Sequence, residues 1–149
     1  MRMKLISGYL VAVLVAYLFG AVFVSQGNIA AVIEMGFQIT LEQRFDAILH
    51  DISNMYDIYL LLIAIALMIA LPIAALIIPR FLRFRLIVYV LAGFFAMIVT
   101  HLLLKAVLGV SGIAPTRDLI GLIAQGVSGG IGGMAFHFTT KSSLRNDKY

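Results

Sequence analysis

The stretch GVSGGIGGMA, residues Gly126 to Ala135, decides between two classes of fold. Gly130, Gly132 and Ala135 match the pattern G-x-G-x-x-A, with which many enzymes hold the phosphates of a dinucleotide. Such a site requires a β-strand immediately before the glycines. Here the preceding residues, DLIGLIAQ, have the pattern of an apolar helix instead. The glycines therefore favour a helix over a cofactor-binding loop, and we expect no cofactor.

The composition favours a membrane protein. Of the 149 residues, 62% are hydrophobic and only 12% are charged, and the mean hydropathy is +1.07. Soluble domains are closer to one half apolar and one quarter charged. The chain has no cysteine, which excludes disulfides, thiolate chemistry and cysteine-bound zinc.

Four apolar stretches account for most of this hydropathy. Each has about 20 residues, which as an α-helix at about 1.5 Å per residue crosses a hydrocarbon core of about 30 Å. We therefore predict an all-α integral membrane protein, with residues 1–149 forming one four-span domain. The predicted spans are Leu5 to Val24, Tyr59 to Ile78, Leu86 to Leu104, and Leu119 to Phe138.

The glycines of the fourth span have the spacing of a helix-packing surface. Gly126 and Gly130 form one G-x-x-x-G pair, and Gly129 and Gly133 form another. Small residues four apart let two helix backbones approach closely within a membrane. Because one neighbour does not need so much small surface, we also expect the fourth span to meet a second chain. The other spans carry similar stripes: Gly8, Ala12, Ala16 and Gly20; Ala66, Ala70 and Ala74; Ala92, Ala96 and Thr100.

The distribution of charge predicts the orientation. Lysine and arginine accumulate in cytoplasmic connections of membrane proteins. Most of them flank one end of the spans, and all acidic residues except Asp147 lie at the other end. We therefore expect both termini to be cytoplasmic. The residues at the cytoplasmic end are Arg2, Lys4, Arg80, Arg83, Arg85, Lys141, Arg145 and Lys148, and those at the other end are Arg44, Lys105 and Arg117.

The connection between the first two spans contains a predicted amphipathic helix, from Leu41 to about Asn54. Thr40 and Gln43 have the spacing of a capping box at its start. Its apolar residues recur three and four apart, as on one face of a helix. We expect this helix to lie outside the cytoplasm, on the membrane surface or on the bundle. Because its other face is acidic rather than lysine-rich, we expect the apolar face to pack on protein rather than on anionic lipid.

Glu42, Asp46 and His50 follow one another at four-residue intervals on the polar face of that helix. Two carboxylates and an imidazole are candidate ligands for a divalent cation. A solvated polar face produces the same pattern, and no specific metal motif is present, so we expect no metal. Asp46 and His50 would also be an acid–base pair, but no nucleophile accompanies them in a recognisable arrangement. We predict no catalytic residue.

His101, Gln125 and Ser128 are the polar residues that qualify for a path through the spans. His101 lies near the outer end of the third span, where an interfacial histidine with its ring tip among headgroups is the ordinary interpretation. Gln125 and Ser128 lie deeper in the fourth span. Polar groups at such positions more often form interhelical hydrogen bonds than line a pore.

These features favour a small non-enzymatic membrane subunit that packs against other membrane proteins as an accessory, assembly or stabilising component. The alternative is a small oligomeric channel or transporter, with His101, Gln125 and Ser128 along its path. A third hypothesis is a membrane enzyme that uses Asp46 and His50. The expected partners are the lipid bilayer and other membrane subunits or further copies of the chain. Nucleic acid is not expected, because no binding motif accompanies the basic residues. The chain length and short loops suggest a bacterial inner membrane.

Overall fold

The computed structural model of the protein describes residues 2–109 and 113–141, and these residues form helices and turns without a β-strand. Arg145, Asp147 and Lys148, which contribute to the predicted orientation, lie outside the described residues. Five α-helices follow one another: α1 (Arg2–Glu34), α2 (Leu41–Asn54), α3 (Leu61–Ile77), α4 (Arg85–Leu108) and α5 (Leu119–Thr140).

Four helical segments are long and apolar enough to cross a membrane: Met3–Glu34, Tyr56–Arg80, Leu82–Leu108 and Leu119–Thr140. This confirms the predicted all-α class and its four candidate spans. The prediction for the first helix was too short, because α1 continues past Val24 to Glu34. Residues 25–34 contain no proline, and the helix ends where Gly36 adopts a positive φ of 93°. Glycine commonly ends helices in this way, because it has no Cβ to oppose that conformation.

The second helix, α2, begins with the capping box expected from the sequence. The Thr40 side chain accepts a hydrogen bond from the Gln43 backbone, and the Thr40 backbone donates to the Gln43 side chain at 2.9 Å. Two further contacts orient α2 against α1. Arg44 donates to Gln26 at 2.9 Å, and the Tyr17 hydroxyl donates to the Ile52 carbonyl at 2.5 Å. Later residues of α2 thus meet earlier residues of α1, so α2 runs antiparallel along α1.

A short π-helical segment, Tyr56–Leu60, leads from α2 into α3. α3 contains Pro72 and continues past it to Ile77. Two 3₁₀ turns, Ile78–Arg80 and Leu82–Phe84, connect α3 to α4. A third 3₁₀ turn, Ala114–Arg117, precedes α5.

The 3₁₀ turn before α5 is closed by Thr116, whose hydroxyl donates to the Ile113 carbonyl. Asp118 occupies the cap position, without a side-chain capping hydrogen bond. Pro115 lies in this turn and packs beside Gly27 of α1. The turn therefore fixes the N-terminal end of α5 against α1.

α5 is the central helix of the bundle. It packs against both α1 and α4, whereas α3 lies against α1 and α4 with little contact to α5. The interior between these helices contains fully buried Ala12, Ala16, Ile63, Leu67 and Met97. Small residues occupy the contacts of α5, and larger apolar residues fill the space beside α3.

Candidate functional site

The closest helix contact in the bundle lies between α4 and α5. Gly93 of α4 faces Gly129 of α5, and a Cβ atom added to either residue would overlap the carbonyl oxygen of the other. One turn further along, a Cβ on Gly133 would overlap the Tyr89 carbonyl oxygen. The two backbones therefore touch directly, as small residues in membrane helices permit.

The other two glycines of the predicted packing set also lie buried against α4. Gly126 faces the Phe94 ring, and an added Cβ would lie 2.7 Å from it. Gly130 has more room, because an added Cβ would lie 3.4 Å from the Val90 carbonyl oxygen. Three of these four glycines therefore have no room for a methyl group, and Gly130 does.

A second face of α5 packs against α1. A Cβ on Gly132 would lie 2.8 Å from the Ala12 carbonyl oxygen and 2.9 Å from the Ala16 side chain. Ala12 and Ala16 are themselves fully buried. The fourth span was expected to meet a second chain, because it has more small residues than one neighbouring helix needs. In the structure α1 of the same chain covers this additional small surface. The glycines are therefore explained without a second chain.

A buried polar cluster joins three parts of the chain inside the bundle. The Tyr59 hydroxyl of the π-helical segment donates to Oε1 of Gln125 in α5. Nε2 of Gln125 donates to the Gly20 carbonyl of α1 at 3.3 Å. Ser128 donates to the Gln125 carbonyl at 2.7 Å, within its own helix. All of these side chains are buried, so the cluster cross-links helices.

Tyr59 was predicted only as the first residue of the second apolar span, and its polar role was missed. Its side chain is 3% exposed, and its ring lies 5.9 Å from the Tyr17 ring. A buried tyrosine needs a hydrogen-bond partner for its hydroxyl. The signal in the sequence was the presence of Tyr59 and Gln125 in two different apolar spans, but sequence spacing does not show that they meet.

His101 lies apart from that cluster, at a pocket between the end of α4 and the start of α5. The pocket has a volume of about 230 Å³ and is also lined by Lys105, Arg117 and Asp118. His101 is 5% exposed, so the interpretation of an interfacial ring among headgroups was wrong. Its Nδ1 lies 2.8 Å from the Met97 carbonyl oxygen. Burial against its own helix, rather than an exposed interfacial position, accounts for this histidine.

The three residues of the candidate polar path therefore have different surroundings. His101 lines the pocket, whereas Gln125 and Ser128 line neither this pocket nor the groove described below. Gln125 uses both ends of its amide on Tyr59 and Gly20. In the described part of the chain, the geometry favours a structural role for Gln125 and Ser128 over a water-filled path.

The polar face of α2 is open to its surroundings. Glu42, Asp46 and His50 are exposed, and His50 Nδ1 lies 3.4 Å from the carboxylate of the neighbouring Asp51. Within residues 2–109 and 113–141, no group of three histidine or acidic side chains is placed to hold a metal ion. The candidate ligands at residues 42, 46 and 50 thus remain a solvated stripe in this geometry.

The apolar face of α2 is only partly covered by the bundle. Ile48, Ile52 and Met55 are half-buried on the side that meets the bundle. A second line, which we call the outer row, consists of Leu41, Phe45 and Leu49. These residues are 74%, 65% and 63% exposed. The apolar face of α2 is therefore wider than its contact with the rest of the chain.

A second uncovered surface is an apolar groove between α3 and α4, with a volume of about 670 Å³. Alanines spaced four apart lie along its base, and larger exposed side chains form its edges. The base contains Ala66, Ala70, Ala74, Ala92, Ala96 and Thr100, which are buried or half-buried. The edges contain Ile69, Ile73, Ile77, Leu91, Phe95, Val99 and Leu103. The small-residue stripes of the second and third spans thus line an open groove.

Comparisons of the chain with protein-family models, with curated proteins and with solved structures found no match. The function must therefore be inferred from the surfaces and the interior. The interior is filled by direct helix contacts and by hydrogen bonds between helices. Two of the uncovered apolar surfaces are the outer row of α2 and the groove between α3 and α4.

Proposed function

We propose that this chain is a small non-enzymatic subunit of a larger membrane assembly, in which it acts as an accessory or stabilising component. The observation that carries this proposal is the outer row, Leu41, Phe45 and Leu49, which the other described residues leave uncovered. The proposal places the protein in a bacterial inner membrane with both termini in the cytoplasm, as the distribution of lysine and arginine favours.

The direction of α2 supports a position of Leu41, the first residue of the outer row, at or above the membrane surface. Arg44 of α2 contacts Gln26, which follows the apolar stretch of α1 that ends at Val24. Because α2 runs antiparallel to α1, Leu41 lies further from the membrane centre than Arg44. Apolar area in water costs about 25 cal/mol per Å², so this position favours a covering partner.

The charge of α2 favours a protein as that partner. The helix contains Glu42, Asp46 and Asp51, and its one arginine, Arg44, is hydrogen-bonded to Gln26. Helices that lie on anionic lipid usually have lysine and arginine on their polar face. An acidic helix with an uncovered apolar row is better suited to a groove or helix of another membrane protein.

An oligomeric channel or transporter is the alternative function. The pocket at His101, with Lys105, Arg117 and Asp118, is the feature that favours it. Against it stands the hydrogen bonding of buried Gln125, which uses the oxygen of its amide on Tyr59 and the nitrogen on Gly20 and so joins helices. The accessory role requires no polar path and is therefore the better supported of the two.

Site-specific photo-crosslinking from Phe45 tests the proposed function. A photoreactive residue at position 45 should cross-link to a second protein of constant mass in intact membranes. The same residue at Leu14, which is 54% exposed on the membrane-spanning part of α1, serves as the matched control and should label lipid. In mild detergent, the partner should remain bound in a fixed ratio, and Phe45→Glu should release it.

Three results would count against the proposal. Cross-links from position 45 to lipid alone would show that the outer row lies in the bilayer. A purified homo-oligomer that conducts ions in liposomes would support the channel. Retention of the partner by the Phe45→Glu protein would show that the partner binds elsewhere than at the outer row of α2.

A further inference from the structure

We propose that the groove between α3 and α4 is a binding site for an anionic phospholipid, with an acyl chain along the alanines and the headgroup at Arg80 and Arg83. This inference concerns a different surface from the outer row and goes beyond the proposed function. It rests on the shape, the length and the charge of the groove.

The shape and lining of the groove suit hydrocarbon. Its base is formed by small side chains such as Ala70 and Ala92, and its edges by larger ones such as Ile73 and Phe95. Thr100 is the one polar residue among those that line it. An apolar groove within a bilayer does not hold water, because water there lacks hydrogen-bond partners. Hydrocarbon of some kind must therefore fill a space of about 670 Å³.

The length of the groove favours an acyl chain over a transmembrane helix. On α3 the lining runs from Ala66 to Ile77, and on α4 from Val88 to Leu103. At about 1.5 Å per residue these segments measure about 16 Å and about 22 Å. A leaflet is about 15 Å deep, whereas a helix that crosses the whole core needs about 30 Å of contact. The groove is thus longer than one leaflet on α4, but on both helices it is shorter than the contact that a spanning helix needs.

The charge at one end of the groove favours an anionic headgroup. Phe81 lines the groove and lies between Arg80 and Arg83, which are both exposed. No acidic residue occurs between Ile58 and Arg117. In the described ranges no ion pair involves Arg80 or Arg83. Basic sites between spans on the cytoplasmic side commonly bind anionic lipid headgroups.

Arg85, the third arginine of this turn, contacts other residues of the bundle. It donates to Thr140 at 3.0 Å, and its guanidinium lies 5.4 Å from the centre of the Tyr89 ring. It therefore faces the end of α5 rather than the groove. Arg80 and Arg83 remain as the two groups available to a phosphate.

Lipid retention by the purified full chain tests this site. The protein in mild detergent is mixed with phosphatidylglycerol or phosphatidylcholine of identical acyl chains, and bound lipid is counted by native mass spectrometry. We expect the wild type to prefer phosphatidylglycerol. Each arginine near a headgroup contributes roughly a fivefold preference, so Arg80→Gln with Arg83→Gln should lower it about 25-fold. Lys105→Gln, at the other end of α4, is the control and should leave it unchanged.

A second set of variants tests the groove itself. Ala92→Phe fills the base and should remove binding of both lipids, whereas Ala31→Phe, on an exposed part of α1, should not. A photoreactive acyl chain should label Ile73 or Val88. Equal retention of the two lipids, no effect of the arginine variants, or acyl labelling elsewhere would overturn the proposal. Cross-links from Ile73 to a second copy of the chain or to another protein would overturn it as well. The arginine variants lie on an exposed turn and remain informative if Ala92→Phe fails to fold.

Discussion

The contact of α5 with α4 and the groove between α3 and α4 are built from small residues with the same spacing, yet one is closed and the other is open. Gly93 and Gly129 bring two backbones into contact, because neither residue has a Cβ. Ala70 and Ala92 each have a Cβ and belong to the lining of a space that none of the other described helices fills. Spacing therefore identifies a small-residue face, but residue type and the available neighbours decide whether that face is closed.

The largest expected effect is that of Gly129→Ala. The added methyl group would overlap the Gly93 carbonyl oxygen, and no side-chain rotation relieves a clash with backbone. We expect a loss of about 3 kcal/mol in the free energy of unfolding, measured in mixed detergent with increasing SDS. Gly130→Ala is the matched control, because its methyl group has room beside Val90 and alanine favours the helix by about 1 kcal/mol. Equal losses in the two variants would show that the backbones do not touch at Gly129.

Tyr59→Phe tests the hydrogen bonds in the closed part of the bundle. Loss of the hydroxyl leaves Oε1 of buried Gln125 without its partner, which should lower the free energy of unfolding by about 1–2 kcal/mol. Tyr56→Phe, at a residue that is 55% exposed, should change it by less than about 0.5 kcal/mol. The same unfolding measurement compares the two. If Tyr59→Phe leaves the free energy of unfolding unchanged, the hydrogen bond to Gln125 does not stabilise the bundle. Gln125 would then be available for a polar path, which would favour the channel.

The arginines of the turn between α3 and α4 allow a third comparison. Arg85 is half-buried and joins α4 to Thr140 of α5, so Arg85→Gln should cost about 1 kcal/mol of stability. Arg83 is exposed beside the groove, and Arg83→Gln should leave stability unchanged. Thermal unfolding of both proteins in detergent without added lipid measures the difference. A larger loss of stability from Arg83→Gln than from Arg85→Gln would show that Arg83, and not Arg85, is the arginine that holds the turn to the rest of the bundle.

The sequence was sufficient for the features that depend on local patterns. Apolar length predicted the four spanning helices, and the spacing of Thr40 and Gln43 predicted the start of α2. The sequence did not show where α1 ends, because the segment after Val24 is neither clearly apolar nor interrupted by proline. In the structure, α1 ends two residues before Gly36, which adopts a positive φ.

Features that join distant parts of the chain were not predictable from spacing. The hydrogen bond between Gln125 and Gly20 links residues 105 positions apart. A pattern of small residues on α5 gives the direction of a face but not the helix that covers it, which is why α1 was not recognised as the second neighbour. Likewise, the spacing of the small residues on α3 and α4 does not indicate whether the alanines meet another helix or line an open groove.

For Ala70→Leu in the groove the expected effect on stability is also small. The longer side chain extends into free space, so we expect a change of less than about 0.5 kcal/mol in the free energy of unfolding. Ala16→Leu is the counterpart in the closed part, where the fully buried side chain meets Gly132, and it should cost about 3 kcal/mol. SDS unfolding of both variants gives the comparison directly. A loss of 2 kcal/mol or more from Ala70→Leu would mean that α3 and α4 pack closely along the alanines, and the groove would then be too narrow for an acyl chain.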